Sequence, residues 1–339
     1  MRINLLIFNS VSISTKERTN LLSSILSIFT IRRAQLSAKF YMKNRKKILL
    51  VDLANLCIRT GCTSYRKNPT DIRFINWKSD ILRELASLIH ETEANSVILC
   101  KEGKKNWRYE IYDEYKWDRK ERKAKSKLDF SIFYPVVDDF FDKLRKYVPN
   151  IYQLKVDCAE GDDLIAVLTK FFTPKNEVIC VSNDRDFYQL LKYDGYRQYH
   201  PIKREFIHVI NPERYLLEKV LVGDKGDCIP HIKPRVSKVT AASIVDRGVE
   251  EWLSEEKEKD PKAGAQIEKN LERNKKLIDF DFIPPHVQNK IIEGVKNLKF
   301  SSMSTRDMSE FLLTVELGNM FDKIPEYTNT FIKLERIDV

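Results

Sequence analysis

Two neighbouring stretches constrain this chain most: Val156-Asp-Cys-Ala-Glu-Gly-Asp-Asp-Leu-Ile-Ala-Val-Leu168 and Val178-Ile-Cys-Val-Ser-Asn-Asp-Arg-Asp-Phe-Tyr-Gln-Leu190. In each, carboxylates stand between β-like residues and the first turn of an amphipathic helix. The first stretch supplies Glu160, Asp162 and Asp163, and the second supplies Asp184 and Asp186. In an open parallel α/β sheet the carboxyl ends of the strands face the ligand crevice. Two adjacent strand–loop–helix units that both end in acid therefore aim several negative charges at one place. Such crowding raises carboxylate pKa values unless a cation is present. Gathered oxygen ligands suit a hard divalent cation such as magnesium.

The surrounding text supplies the sheet. Ile48-Leu-Leu-Val51 is a buried-strand run ending in Asp52, and Val97-Ile-Leu-Cys100 is another, ending in Lys101-Glu102. Between them, Ile75, Ile81, Leu82, Leu85, Leu88 and Ile89 recur at helical spacing, which completes a strand–helix–strand unit. A helix including Pro135 to Tyr147 leads into a strand at Ile151–Lys155, and Tyr196–Tyr199 with Glu205–Ile210 reads as a hairpin. The expected fold is α/β: a central, mostly parallel sheet flanked by helices over residues 47–210. An insertion occupies about 103–130, and a helical domain follows over 211–339. In that second domain Asp224 and Asp227, three apart, can share one face of a turn. A loop is expected around Pro261–Gly264, inside an otherwise charged helical stretch.

Net charge is +10, but it is unevenly placed. Residues 1–46 hold nine Lys/Arg and one acid, Glu17, which leaves 50 basic and 48 acidic side chains elsewhere. Any nucleic-acid contact must therefore come from local patches. The basic segment is Ser- and Ile-rich; it suits a transit peptide, or the working protein starts at Met42. In both readings it lies outside the fold. Its apolar run Leu21–Ile31 is too short to span a bilayer, so no membrane partner is expected. The six cysteines form no CxxC pair and several sit in apolar runs, as expected of reduced, packed thiols in a cytoplasmic protein.

The insertion is a candidate nucleic-acid surface. Lys101–Lys127 contains eleven Lys/Arg and six Asp/Glu, interleaved with Trp107, Tyr109, Tyr112, Tyr115 and Trp117. Aromatics among cations suit a single strand, through base stacking and phosphate contact. A solvated helix with i,i+4 charge pairs explains the same window.

Each acid likewise has an ordinary explanation. Asp162 or Asp163 could cap one helix, Asp184 the next, and Asp52 could occupy a turn. The succession of acid-ended strands is harder to explain that way. No Ser or Cys nucleophile has a His placed by motif, and no glycine-rich phosphate loop is present. Asp52-Leu-Ala54 lacks the second Asp of a dehalogenase-type phosphatase. What remains is a two-metal arrangement for phosphodiester cleavage.

Leu50-Val-Asp-Leu, Glu160-Gly-Asp-Asp-Leu-Ile-Ala, Ser182-Asn-Asp-Arg-Asp-Phe-Tyr-Gln-Leu and Gly223-Asp-Lys-Gly-Asp-Cys-Ile-Pro occur in that order. Together with Tyr115-Lys-Trp-Asp-Arg119 and Leu277-Ile-Asp-Phe-Asp-Phe-Ile-Pro284, they resemble the flap-endonuclease (5′-nuclease) family. Within it, the chain looks especially like the ribonuclease H branch of the T-even phages. The resemblance runs from about Lys46 almost to the end. It implies a magnesium-dependent 5′→3′ exonuclease and flap endonuclease that removes RNA primers and 5′ flaps during replication. Two or more Mg2+ ions, with Mn2+ as a substitute, would be held by Asp52, Glu160, Asp162, Asp163, Asp184, Asp186, Asp224 and Asp227. Glu102 stands where the family offers an aspartate, and Gly103 could absorb its extra methylene. Asp52, Glu160, Asp184, Asp186, Lys116 and Arg119 would be catalytic. Arg108, Tyr115, Lys116 and Arg119 would meet nucleic acid in a helical arch, with Lys116 and Arg119 acting on substrate rather than on fold. Lys233, Arg235, Lys238 and Thr240 match a helical hairpin that binds duplex phosphates, although Pro234 and Val236 replace its usual glycines. Implied partners are DNA and RNA–DNA duplexes with 5′ ends or flaps, and a single-strand-binding protein and sliding clamp. Two other readings are a PIN-like ribonuclease and a non-catalytic nucleic-acid-binding replication protein.

Overall fold

The computed structural model describes residues 45–339; the expectations for the N-terminal extension lie outside them. Lys46–Val339 form one compact unit. Strand β1 (Lys47–Asp52) leads into α1 (Leu53–Lys67) and α2 (Ile75–Thr92), then β2 (Ser96–Lys101). After the insertion, which holds a 3₁₀ turn at Trp107–Glu110 and the short α3 (Arg119–Ala124), come α4 (Phe130–Tyr147), β3 (Tyr152–Lys155) and α5 (Gly161–Phe172). Strand β4 (Glu177–Val181), a 3₁₀ helix (Asp186–Lys192), β5 (Tyr196–His200) and β6 (Glu205–Phe206) complete the sheet.

The sheet order is β3-β2-β1-β4-β5-β6, parallel except for β6. Both faces are covered, so the strands read as continuous apolar runs whose alternate residues go opposite ways. Leu49 and Val51 join the core under α1, α2 and α4, whereas Ile48 and Leu50 join the core under α5. Chain order reverses across β1, which has β2 on one side and β4 on the other. A crevice opens at the carboxyl ends of strands at such a switch point, and β1 and β4 deliver Asp52 and Asp184 to it.

Beyond residue 211 the helices serve two places. Helices α6 (Pro212–Val222), α7 (Lys238–Arg247), α8 (Val249–Lys259) and α9 (Pro261–Ile278) enclose a separate apolar core that includes Leu221, Ile232, Trp252 and Leu271. From Phe280 the chain returns to the sheet. Helix α10 (Pro285–Lys296) covers the α5 side through Val287 and Ile291. Helices α11 (Thr305–Thr314) and α12 (Ile324–Phe331) cover the opposite face through Met308, Phe311 and Phe331. The loop expected at Pro261–Gly264 is instead the first turn of α9. Asp260 caps it by accepting from Lys262 and Ala263 N–H, and Pro261 at the first position has no N–H to lose.

Candidate metal centre

Each acid reaches the crevice through a local device that the sequence encodes. Asp52 ends β1 and caps α1, its Oδ1 accepting from Asn55 N–H at 3.0 Å while Oδ2 accepts from Ser182 Oγ at 3.0 Å. Asp184 Oδ1 accepts from Asp186 N–H at 2.9 Å, which turns the chain after β4. Capping and ion binding are thus compatible, since each oxygen retains a lone pair. Gly103 and Gly223 shape the rim. A Cβ at Gly103 would lie 2.0 Å from Val156 O, so only glycine lets the end of β2 cross the loop that carries Glu160. Gly223, at φ 74°, would drive a side chain into Ile229 and Pro230 carbonyls. The turn it permits aims Asp224 and Asp227 back from α6.

The resulting cleft has a volume of about 520 Å³. Asp52, Glu102, Glu160, Asp162, Asp184, Asp186, Asp224 and Asp227 all line it, with Lys116, Arg119 and Arg122 among them. Asp186, Asp224 and Asp227 each offer a carboxylate oxygen within 4.8 Å of the others. Asp162 has no hydrogen-bond donor or ion-pair partner among the described residues. Burial, followed by repulsion from Asp52 and Asp184, holds its carboxyl well above the usual range. A desolvated, unpartnered carboxylate facing other carboxylates fits a divalent cation, and so does the all-oxygen donor set.

Burial, with repulsion from Asp184 and Glu102, pushes Asp52 up to about 6, against the hydrogen bonds from Asn55 and Ser182. Burial raises Asp186 and Asp227 as well. Glu160 goes the other way. Burial would raise it, but Lys116, Arg108 and Tyr115 hold it down at about 2. A carboxyl with a raised folded-state pKa binds more protons folded than unfolded. Its contribution to stability is present below the unfolded value and lost as pH rises through the folded one. Metal-free Asp52→Asn is therefore expected to gain on wild type from about pH 4 to about pH 7, by up to about 3 kcal/mol. Thermal unfolding in EDTA across that range measures it; a difference that does not grow with pH contradicts the assignment.

Several expected site residues do other work. Asp163, expected to bind metal, is fully buried. Its Oδ1 accepts from Arg108 Nη2 at 2.8 Å; its Oδ2 accepts from Arg108 Nη1, Trp107 Nε1 and Glu160 N–H. Asp163 is not among the residues that line the cleft. Arg108, expected to meet nucleic acid, is buried as Asp163's partner; it also donates to Glu160 and to Leu277 O. Tyr115 is buried too, its hydroxyl placed at Glu160 (2.8 Å) and Asp227 (3.2 Å). Lys116 is 8% exposed and donates to Glu160 at 2.7 Å, so it acts on the fold as well as lining the cleft. Lys233 is taken up by Glu256 at 2.7 Å and by the Trp252 ring. Arg235 and Lys238 are exposed, while Thr240 belongs to the N-cap of α7, its N–H donating to Ser237 Oγ. Glu102 is half-exposed at the cleft, 3.9 Å from Arg119. The segment expected to form a helical arch holds only the 3₁₀ turn at Trp107–Glu110 and the six-residue α3.

Three positioning groups escaped the sequence reading. Lys219, on α6, bridges Asp186 and Asp224, and both raise its pKa against burial. Gln198, on β5, donates from Nε2 to Ser182 O (2.9 Å) and Asp184 O (2.7 Å), fixing the turn after β4. Gln189 donates to Asp186 O and Ile278 O and accepts from Phe280 N–H, tying the site to the end of α9. Only the motif that contains Gln189 gave a hint of any of these.

A model of the 5′-3′ exonuclease N-terminal, resolvase-like domain matches residues 47–220. The chain belongs to the 5′-3′ exonuclease family. A second model, described as the C-terminal part of T4 RNase H, matches residues 210–327, so the two together take in most of the described chain. Ribonuclease H of Enterobacteria phage T4 is 24% identical over 270 residues, covering 75% of this chain and 88% of that protein. The thermostable DNA polymerase I of Thermus thermophilus is 27% identical over 306 residues, 86% of this chain but only 32% of the polymerase. Among solved structures, T5 5′-exonuclease with bound zinc superposes with a TM-score of 0.59 at 21% identity, covering 75% of this chain and 99% of that one. The bacteriophage T5 D15 flap endonuclease in complex with DNA and metal ions gives 0.59 at 20% identity, covering 80% and 100%. These superpositions carry the fold of the 5′-nuclease domain. No helix among the described residues is long and apolar enough to cross a membrane.

Proposed function

We propose that this family member is a magnesium-dependent 5′-nuclease that hydrolyses phosphodiesters at 5′ ends and flaps of DNA and RNA–DNA duplexes, RNA primers included. The observation that carries this reading is the meeting, in one cleft at the switch point, of acids from β1, α5, the β4 turn and the α6 turn. Asp52, Asp162 and Asp184 would hold one ion, and Asp186, Asp224 and Asp227 a second. Glu102, half-exposed at the cleft, would complete the shell, directly or through water. Bound divalent ions supply a water of lowered pKa and stabilise the leaving oxygen. The chain's own residues position the substrate and fix charge. Glu160 stays ionised and holds the Lys116 ammonium at the cleft, where it can meet a phosphate oxygen. Arg119, 44% exposed at the rim, is freer to follow the 5′ strand, with Arg235 and Lys238 offering phosphate contacts farther along the duplex.

A 5′-labelled flap and a nicked RNA–DNA duplex, each with magnesium, manganese or EDTA, test the reading. Cleavage of both substrates with either ion and none in EDTA is expected. Cleavage of single-stranded RNA alone would favour a PIN-like ribonuclease, and binding without cleavage would leave a non-catalytic protein. Arg119→Ala is expected to weaken flap binding and reduce the salt slope by about one, with melting temperature unchanged. Unaltered flap affinity and salt slope would make this residue a solvated surface cation.

A further inference from the structure

We propose that Trp117 is a base-stacking subsite for the single-stranded 5′ segment of the substrate, an inference that rests on the 5′-nuclease reading. The insertion interleaves five aromatics with cations, and the fold separates their roles. Trp107 and Tyr115 are buried. Tyr112 donates its hydroxyl to Glu114, and its ring lies 5.1 Å from the Arg273 guanidinium. Tyr109 packs edge-on against Tyr115, ring centroids 5.8 Å apart. Trp117 alone is left over. Its side chain is 63% exposed, with no ring contact, cation–π contact or side-chain hydrogen bond among the described residues. The other tryptophans, Trp77, Trp107 and Trp252, are buried.

An exposed indole contributes little to folding, yet this one stands on a fixed base. Trp117 N–H donates to Glu114 O at 3.2 Å, and the preceding Lys116 N–H donates to Asp227 O at 2.9 Å. Arg122 donates to Gly226 O, and Cys228 Sγ donates to Asp118 Oδ1 at 3.1 Å. Trp117 is therefore tied through its own segment to the turn that carries Asp224 and Asp227. Its neighbours Lys116 and Arg119 line the cleft, and its Cα lies about 3.8 Å from that of Lys116. Trp117 is not itself among the residues lining the cleft, so its subsite would lie just outside, where a strand whose phosphates leave past Lys116 and Arg119 would bring its bases to the indole. Every base has a π-face, so such a platform binds without regard to sequence and distinguishes a strand with bases from a bare sugar–phosphate chain.

The test uses the full chain and three duplexes: one with a 5′ thymidine overhang, one with an abasic overhang of equal length, and one with no overhang. Binding is followed by intrinsic tryptophan fluorescence and by anisotropy of a dye on the duplex end, in calcium and separately in EDTA. Wild type is expected to bind the thymidine overhang roughly tenfold more tightly than the abasic one, with saturable quenching by the former only. Trp117→Ala is expected to bind the two equally, and Trp117→Phe to keep part of the preference. Equal affinities in wild type, or an undiminished preference in Trp117→Ala, would overturn the proposal. Failure of the 5′-nuclease reading shows separately, as no magnesium-dependent cleavage of a flap. The binding preference itself needs no cleavage.

Discussion

Asp162→Asn is expected to lower flap cleavage by at least about a thousandfold while raising the melting temperature of the metal-free protein. Asp162 is the cleanest acid to remove because it has no donor to lose. Asp52 caps α1 and accepts from Ser182, and Asp186 is bound to Lys219, so truncating either one breaks structure as well as removing charge. Neutralising Asp162 relieves repulsion with Asp52 and Asp184. A relief of about 1 kcal/mol in a chain of this size raises the melting temperature by roughly 2–4 °C. Divalent ions should reverse the order. Wild type gains about 2.7 kcal/mol at an ion concentration one hundred times its dissociation constant, and the variant gains less. Thermal unfolding with EDTA and with magnesium, alongside cleavage rates, measures all three effects. Cleavage within tenfold of wild type, or a metal-free variant less stable than wild type, would remove Asp162 from the ion site.

Arg108→Met should damage the fold rather than substrate contact. The guanidinium is buried, and it makes paired hydrogen bonds to Asp163 as well as bonds to Glu160 and Leu277 O. Removing it leaves the Asp163 carboxylate in the core without its cation, a loss of about 3–5 kcal/mol. The double variant Arg108→Met/Asp163→Leu should recover part of that loss, because the uncompensated charge goes with its partner. Denaturant unfolding of the two variants and wild type decides the matter. A loss below about 1 kcal/mol for Arg108→Met, with reduced duplex affinity, would instead restore the nucleic-acid role that its sequence context implies.

Much of the site was legible because strands and helix starts have fixed geometry. Asp52, Asp184 and the Glu160 turn each stand immediately after a short apolar run, and a parallel sheet puts the ends of such runs on one edge. The spacing of Asp224 and Asp227 likewise announced a shared turn. The insertion was less legible, since cations and aromatics in alternation suit a nucleic-acid surface and a packed latch equally well. The structure shows the packed latch and leaves exposed residues beside it. Trp107, Arg108 and Tyr115 are packed around Glu160 and Asp163, while Trp117 is exposed and Arg119 is 44% exposed at the cleft rim.

The sequence by itself determined the parallel sheet, the strand ends that carry acid and the family to which those motifs belong. These depend on residue order, on the continuous apolar runs of doubly covered strands and on the 3.6-residue period of the helix. The tertiary structure alone decided which acids are free to bind a cation. Asp162 and Asp163 are adjacent in the chain, yet successive residues on a helix point about 100° apart. That rotation leaves Asp162 unpaired at the cleft and turns Asp163 into the core, where Arg108 and Trp107 meet it. Lys219 reaches Asp186 from a helix that begins 26 residues later, and Gln198 reaches Ser182 from the next strand. Such partners come from packing between elements, which no local pattern specifies.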